Sequence, residues 1–171
     1  MLAPLSTPSK GVKDNKRPLG IPSHEDKIVQ LAIKKILKSI YEQDFLDCSF
    51  GFRENRSCHD AIKISDVYLS RRNINYVVDA DIKGFFDNVD HKWIMKFLEH
   101  RIADKNLLRY IGRFLKSGIM DEGQFHKVYE GTPQCGIILR TLGNIYLHYA
   151  LYIWFNEFIK KRCKGQAYIV R

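Results

Sequence analysis

The most informative segment of the sequence reads Tyr76-Val77-Val78-Asp79-Ala80-Asp81-Ile82-Lys83-Gly84-Phe85-Phe86-Asp87. Aromatic and β-branched residues at its start predict a strand over residues 76–81. Asp79 and Asp81 are two positions apart, so both carboxylates point to the same face of that strand. Acids at the end of a buried strand need a positive partner, and a divalent metal bound to a triphosphate is one. The segment therefore indicates a phosphoryl-transfer site, with Asp81, nearer the strand end, as the metal ligand.

The residues that follow this strand have two interpretations. Phe85 or Phe86 can form an apolar floor under the sugar of a nucleotide. Asp87 and Asp90 are better explained as caps of the next helix, because aspartate readily accepts hydrogen bonds from the first backbone amides of a helix.

Hydrophobic periodicity along the rest of the chain predicts mainly helices. Ser23 and Asp26 form a helix-start signal before the first of them. Asp121-Glu122-Gly123 is a turn signal between two short strands within residues 118–130, and residues 167–170 resemble the start of another strand. This mixture predicts an α+β fold. Helices are expected over residues 25–43, 58–72, 91–103, 105–117 and 137–161.

Composition narrows the class of protein. The 171 residues include 28 Lys and Arg against 19 Asp and Glu, giving a net charge of +9, which favours a polyanionic partner, nucleic acid first. The apolar run over residues 137–155 carries Arg140, Asn144 and His148 at helical spacing, which argues against a membrane span. The four cysteines lack zinc spacing, so neither zinc nor a disulfide framework is predicted, and a reduced, cytoplasmic setting fits.

Three further motifs contain residues suited to nucleic acid. Residues 49–57 combine Arg53 and Arg56 with two phenylalanines, which suits phosphate pairing and base stacking, although such arginines are more often a solvated face. Residues 131–137 form a Gly-x-Pro-x-x-Gly loop before a long helix; it suits close approach of a base pair or a phosphate, or is simply a tight connection. Residues 16–22 place cations on a proline-stiffened loop, a weak signal by itself.

Taken in their order along the chain, the four stretches at residues 16–22, 49–57, 76–87 and 131–137 resemble the sequence blocks of bacterial group II intron-encoded reverse transcriptases, also called maturases. The resemblance runs from about residue 10 to the last residue of the sequence, 171. It implies a right-hand polymerase arrangement, with fingers over residues 1–75 and part of the palm over residues 76–171. The expected architecture is helices packed on a small antiparallel sheet.

The resemblance also implies roles for individual residues. Asp81 and the backbone carbonyl of Ile82 would bind two catalytic Mg²⁺ ions, and Phe86, with Phe85 as second candidate, would lie against the deoxyribose. The remaining candidates would contact the dNTP or the nucleic acid. They are Arg17 with Lys10 or Lys13 for the triphosphate, Gln134 for the incoming base pair, and Arg53, Asn55 and Arg56 for the template or primer RNA.

Two departures from the family pattern stand out. The family usually continues Gly-Gly-Ile-Ile-Ser-Pro-Leu-Leu-Ala-Asn where this chain has Cys135-Gly-Ile-Ile-Leu139-Arg140-Thr-Leu-Gly143-Asn, which puts the polymerase activity of the parent protein in question. The family also places Tyr-Ala-Asp-Asp after the residue matching Arg171, and those aspartates supply the remaining metal-binding carboxylates. The 171-residue chain alone is therefore expected to bind Mg²⁺ weakly or not at all and not to extend a primer.

Two functions remain open at this stage. The first is an enzyme, the fingers and partial palm of an RNA-directed DNA polymerase that performs two-metal nucleotidyl transfer in the intact parent. The second is a non-catalytic maturase scaffold that grips intron RNA to assist splicing. Both predict RNA binding and no membrane association. A truncated palm would expose a sheet edge, so a homodimer is a further expectation.

Overall fold

The computed structural model describes residues 3–4, 22–117, 119–121, 124–126 and 136–171. Helices make up most of the described chain, and the predicted helical segments are confirmed to within a few residues, except in the last one. The helices are α1 His24–Tyr41, α2 Cys58–Arg71, α3 His91–Glu99, α4 Lys105–Leu115, α5 Leu139–Leu147 and α6 Lys160–Arg162. Between α5 and α6 the chain continues as π-helical turns, His148–Ile153 and Phe155–Ile159.

Side-chain caps begin four of these helices. The hydroxyl of Ser23 accepts a hydrogen bond from the amide of Asp26 at the start of α1, which confirms the predicted signal. Ser57 and Asp60 form a reciprocal capping box at α2, and Asp104 caps α4. Asp90 caps α3 as predicted, whereas Asp87 lies inside the preceding 3₁₀ turn, Phe85–Asp87.

The hydrophobic core lies between α1, α3, α4 and α5. Leu37, Leu98 and Ile111 are at most 1% exposed, and Ile145 of α5 packs against the same cluster. Burying one such side chain contributes about 1.5–3 kcal/mol. The phenol of Tyr41 in α1 donates to the carbonyl oxygen of Phe97 at 3.1 Å, so a polar group also joins α1 to α3. One core therefore extends across the predicted boundary between fingers and palm.

The predicted α+β fold, with helices packed on a small antiparallel sheet, is wrong for the described residues. Their body is formed by helix-on-helix packing. Strand pairing is limited to β1 Ala3–Pro4, β2 Ile119–Asp121 and β3 Gln124–His126. β1 pairs with β2 in parallel and β2 with β3 antiparallel, the latter pair within the region where two short strands were expected.

The predicted strands at 76–81 and 167–170 do not form either. Residues 73–82 have no regular secondary structure, and in the described part of the chain no strand pairs with them. Tyr76 is 89% exposed and Val78 is 85% exposed. High β-propensity reflects fit to a half-buried pleated surface, and it forms no strand where that surface is missing.

The C-terminal segment is held in place without belonging to a sheet. The Tyr168 ring stacks on Tyr68 of α2 with centroids 4.1 Å apart. The backbone of Arg171 donates to the carbonyl of Cys48 and accepts from the amide of Phe50, at 3.0 and 2.7 Å. These contacts bring the end of the chain to the loop at residues 49–57.

No helix among the described residues is both long enough and apolar enough to cross a membrane. The apolar run over residues 137–155 instead packs in the protein interior, where it buries Asn144 and His148.

Candidate nucleotide and RNA site

The acidic segment presents its polar side chains to solvent. Asp79, Asp81 and Lys83 are all exposed. Gly84 follows with φ of 60°, a left-handed conformation that glycine adopts without steric cost. The Gly84 carbonyl accepts from the side-chain amide of Asn88 at 2.8 Å, which fixes the turn after Asp81.

This turn lays the two phenylalanines against α5. The rings of Phe85 and Phe86 meet edge to face, 5.1 Å apart, and Phe85 meets Tyr146 at 6.0 Å. Both phenylalanines are half-buried and pack on the hydrophobic core. An exposed carboxylate at Asp81 and a supported aromatic pair thus lie at the two ends of one short turn.

The arginine loop, Ser49–Ser57, is built around the inward-pointing Arg53. Its side chain is 4% exposed, and the guanidinium pairs with Glu42, with Nε and Nη2 each 2.8 Å from Oε1. Nη1 also donates to the carbonyls of Leu46 and Ser49 at 3.0 and 2.9 Å. All three nitrogens are engaged by the protein, so Arg53 joins the loop to the end of α1.

Arg56 and Asn55 face outward from the same loop. Arg56 donates to the carbonyl and carboxylate of Asp47, at 3.0 and 2.6 Å, and lies over the Phe50 ring at 5.3 Å. Asn55 is exposed and has a φ of 58°. Phe52 has a φ of 59°, which is unusual for a bulky residue and stores strain of order 1 kcal/mol at this surface.

Helix α5 contacts the arginine loop through the side chains of Arg140 and Asn144. The guanidinium of Arg140 lies 5.0 Å from the centre of the exposed Phe52 ring. The amide of Asn144 donates to the Gly51 carbonyl at 2.8 Å, and its oxygen accepts from Arg171 Nη1 at 2.8 Å. Asn144 therefore links α5, the loop and the C-terminal segment in one hydrogen-bonded network.

A cleft of about 460 Å³, counting its open side, lies between α1, the arginine loop and α5. Its walls carry cations and carboxylates, and Lys38 and Glu54 form an ion pair across it. Lys34 lines the cleft without an ion pair in the described residues. This arrangement is suited to a polyanionic ligand more than to an apolar one.

The sequence comparisons identify the family. Residues 7–169 match the family model of the reverse transcriptase (RNA-dependent DNA polymerase). The chain belongs to the reverse transcriptase family.

Its relatives include proteins encoded by introns. The group II intron-encoded protein LtrA of Lactococcus lactis subsp. cremoris is 46% identical over 132 residues, covering 77% of this chain and 22% of LtrA. Protein YkfC of Escherichia coli K12 is 36% identical over 149 residues, covering 85% of this chain and 38% of YkfC. The Arabidopsis thaliana nuclear intron maturase 4 is 27% identical over 137 residues, covering 77% and 16%. The chain thus spans well under half of the length of these relatives, and the predicted membership of the group II intron-encoded reverse transcriptases and maturases is confirmed.

Reverse transcriptases generally use Mg²⁺. Two catalytic ions need several anionic oxygen ligands, because like charges about 4 Å apart repel. Among residues whose side chains are described, no three acids, histidines or cysteines lie together. Asp81 offers one carboxylate and Ile82 one carbonyl, and these two groups alone do not fit two ions.

Several predicted reverse-transcriptase residues cannot be placed in this site. Lys10, Lys13, Arg17 and Gln134 all lie outside the described residues, as does Cys135. Sequence reasoning, in turn, missed the supporting residues Gly143, Asn144 and Arg171. Each of these residues lies within a motif of the sequence. Their partners are more than 25 residues away along the chain, so no local pattern indicated the contacts.

Burial also shifts the titration of His148, which the sequence indicated only as a polar residue within an apolar run. His148 is 4% exposed, and its Nδ1 has no hydrogen-bond partner among the described residues. Its ring meets Phe45 and Tyr149 edge to face at 5.6 and 5.0 Å. Desolvation lowers the pKa of His148, because the charged imidazolium loses its hydration in this apolar setting.

Proposed function

We propose that this chain forms the fingers, residues 1–75, and part of the palm, residues 76–171, of an RNA-directed DNA polymerase from a group II intron maturase. The observation that carries the proposal is the exposed carboxylate of Asp81 beside a fixed glycine turn that packs Phe85 and Phe86 on α5. In the longer protein Asp81 and the Ile82 carbonyl would contribute ligands for Mg²⁺. Phe86 would lie against the sugar of the incoming dNTP.

The protein's own groups have distinct tasks in this proposal. Asp81 lies on a solvent-exposed segment, where a nucleotide with its bound Mg²⁺ can reach it. Phe86 supplies a flat apolar surface that favours a sugar without a 2′-hydroxyl, since a buried hydroxyl without a hydrogen-bond partner is costly. Lys10, Lys13 and Arg17 remain candidates for the triphosphate and Gln134 for the base pair.

RNA would be held by the outward side of the arginine loop. Asn55 is exposed there, the partly exposed Arg56 is paired with Asp47, and Lys34 borders the adjacent cleft. Arg53 acts differently from our expectation of a direct contact, because its nitrogens are already bonded within the protein. We propose that Arg53 shapes the loop and that Arg56 meets the RNA backbone. The described cysteines are free thiols, consistent with the cytoplasmic setting that we propose.

A second candidate is the non-catalytic maturase scaffold that binds intron RNA. The observation that favours it is the incomplete metal site among the described residues, beside a fully formed arginine loop. The two candidates share RNA binding and differ in nucleotide binding. A nucleotide assay therefore separates them.

The discriminating experiment measures binding of Mg²⁺·dATP to the 171-residue chain by calorimetry. The polymerase proposal expects saturable binding that Asp81→Asn weakens. Asp79→Asn is the matched control, because Asp79 is equally exposed on the same segment and is assigned no ligand role. Equal loss of binding in both variants would favour the scaffold.

RNA binding is tested separately with a poly-rA/oligo-dT duplex at several salt concentrations. Counterion release requires affinity to fall steeply between roughly 50 and 200 mM salt. Arg56→Ala should reduce the magnitude of the salt slope by about one, the contribution of a single phosphate contact. Arg113→Ala on α4 serves as the control for loss of an exposed arginine elsewhere. A flat salt dependence would contradict RNA binding by this surface.

A further inference from the structure

Helix α5 and the two phenylalanines are in unusually close contact at Gly143. A Cβ atom at this buried position would lie 3.0 Å from Phe86 Cε1 and 3.2 Å from Phe85 Cε1. Carbon atoms in contact normally lie about 3.5–4.0 Å apart. Only glycine therefore lets the turn Phe85–Asp87 lie this close to α5.

We propose that Gly143 is a positioning residue that sets how deeply the Phe86 ring lies beneath the nucleotide sugar, and through it the discrimination against ribonucleotides. The inference rests on the proposed function, which places the sugar of the nucleotide on Phe86. Gly143 touches no substrate in this scheme and acts only through the ring.

The packing around the pair indicates which ring moves when a methyl group is added at position 143. Phe86 makes the closer of the two contacts with the added carbon. An alanine therefore displaces Phe86 by a few tenths of an ångström away from α5.

This displacement changes the space above the ring. In the proposed function the sugar lies on the side of the Phe86 ring that is turned away from α5. Gly143→Ala raises the ring and makes the pocket shallower. The larger ribose, with its 2′-hydroxyl, is then excluded more strongly than deoxyribose, and selectivity for the deoxynucleotide increases.

The experiment compares the Kd of Mg²⁺·ATP with that of Mg²⁺·dATP on the 171-residue chain. Gly143→Ala should increase the ratio of the Kd of Mg²⁺·ATP to the Kd of Mg²⁺·dATP by about threefold, equivalent to less than 1 kcal/mol. Gly112→Ala is the matched control. It also places alanine in a helix, but its Cβ would meet only Met95, at 3.9–4.0 Å. Its ratio should equal that of wild type.

A double-mutant cycle separates positioning from a general effect on packing. Phe86→Leu removes the ring edge, so the ratio should approach one, and adding Gly143→Ala in that background should leave it unchanged. If Gly143→Ala changes the ratio equally with and without the ring, the inference is overturned. The inference is also overturned if Gly143→Ala leaves the ratio unchanged in the wild-type background. Binding of dATP that depends on Asp81 would in that case leave the proposed function intact.

Two other outcomes are also decisive. If neither nucleotide binds the wild-type chain, the inference fails, because Phe86 then holds no sugar in this chain. If Gly143→Ala unfolds the chain in a thermal melt, the Gly143→Ala/Phe86→Leu variant should recover the fold, because the contacting ring edge is gone. Unfolding of both variants would show that the Phe86 contact is not the cause and would overturn the inference.

Discussion

Two regions of the molecule differ in where their charged side chains lie: the arginine loop, Ser49–Ser57, buries one, and the acidic segment, residues 73–82, exposes them. In the loop, the guanidinium of Arg53 is buried and bonded to a carboxylate and two carbonyls. In the acidic segment, Asp79 and Asp81 face solvent beside Val78, an apolar residue that is 85% exposed. The hydrogen-bonding capacity of Arg53 is met within the protein, whereas the carboxylates of the acidic segment face solvent.

The difference indicates a division of labour between the two regions. A loop whose shape is fixed by internal hydrogen bonds can present Arg56 and Asn55 to RNA in a constant arrangement. A segment with no pairing strand among the described residues has room to receive ligands or other parts of a longer protein. Substitutions should therefore affect stability strongly in the loop and weakly in the acidic segment.

The largest effect is expected from Arg53→Ala. It leaves Glu42 without its cation and two carbonyl oxygens without their donor, which should cost about 2–4 kcal/mol of unfolding free energy. Arg56→Ala removes a more exposed ion pair and should cost less than about 1 kcal/mol. Urea denaturation followed by circular dichroism measures both. Equal losses in the two variants would mean that the loop does not depend on its buried arginine.

A second, smaller loss is expected from Asn144→Ala. The substitution leaves the Gly51 carbonyl without this donor and removes the nearer of two acceptors of Arg171 Nη1, at a cost of about 2 kcal/mol. Asn156→Ala on the exposed side of the following helical segment should change stability by less than about 0.5 kcal/mol. If Asn144→Ala is as mild as Asn156→Ala, the loop is held by Arg53 without support from α5.

The helical part of this fold could be predicted from the sequence because its signals are local. Ser23 and Asp90 cap helices through contacts within three residues, and the apolar spacing of α1 and α4 leads directly to buried faces. The acidic segment could not be predicted in this way. Its β-branched residues indicate a strand, but a strand also requires partners, which local propensity does not reveal.

The candidate site shows the same limit. The motif around Asp81 and the aromatic pair were recognised from residue types and order. The inward direction of Arg53 could not be predicted, because an arginine in a polar loop is usually solvated, and its burial depends on Glu42 and on carbonyls placed by the folded chain. The contact at Gly143 depends on the distance between two elements, which a sequence pattern does not specify.

Buried His148 links the stability of the helical body to pH. Its pKa is lowered below the ordinary value of 6.5, chiefly by desolvation, so the unfolded chain binds a proton more readily than the folded chain. Stability contributed by the neutral ring is fully present above pH 6.5 and is lost as the pH falls from 6.5 toward the folded pKa. Asp44 raises this pKa and Arg53 lowers it, both less than desolvation does.

The measurement is the urea midpoint between pH 7.5 and 5. His148→Gln should flatten the decrease below pH 6.5, whereas His59→Gln at an exposed position of α2 should leave it unchanged. A decrease of the same size in all three proteins would assign the pH dependence to other groups.

The smallest effect should come from Val78→Thr, and it tests the comparison most directly. Val78 is 85% exposed, so the added hydroxyl is hydrated and the unfolding free energy should change by less than about 0.5 kcal/mol. The same substitution at Val89, which is 2% exposed, places an unpaired hydroxyl in the core and should cost about 1–3 kcal/mol. Because the chemical change is identical, the ratio of the two losses reports burial alone. A comparable loss at Val78 would mean that residues 73–82 are packed in solution, and the contrast with the arginine loop would then disappear.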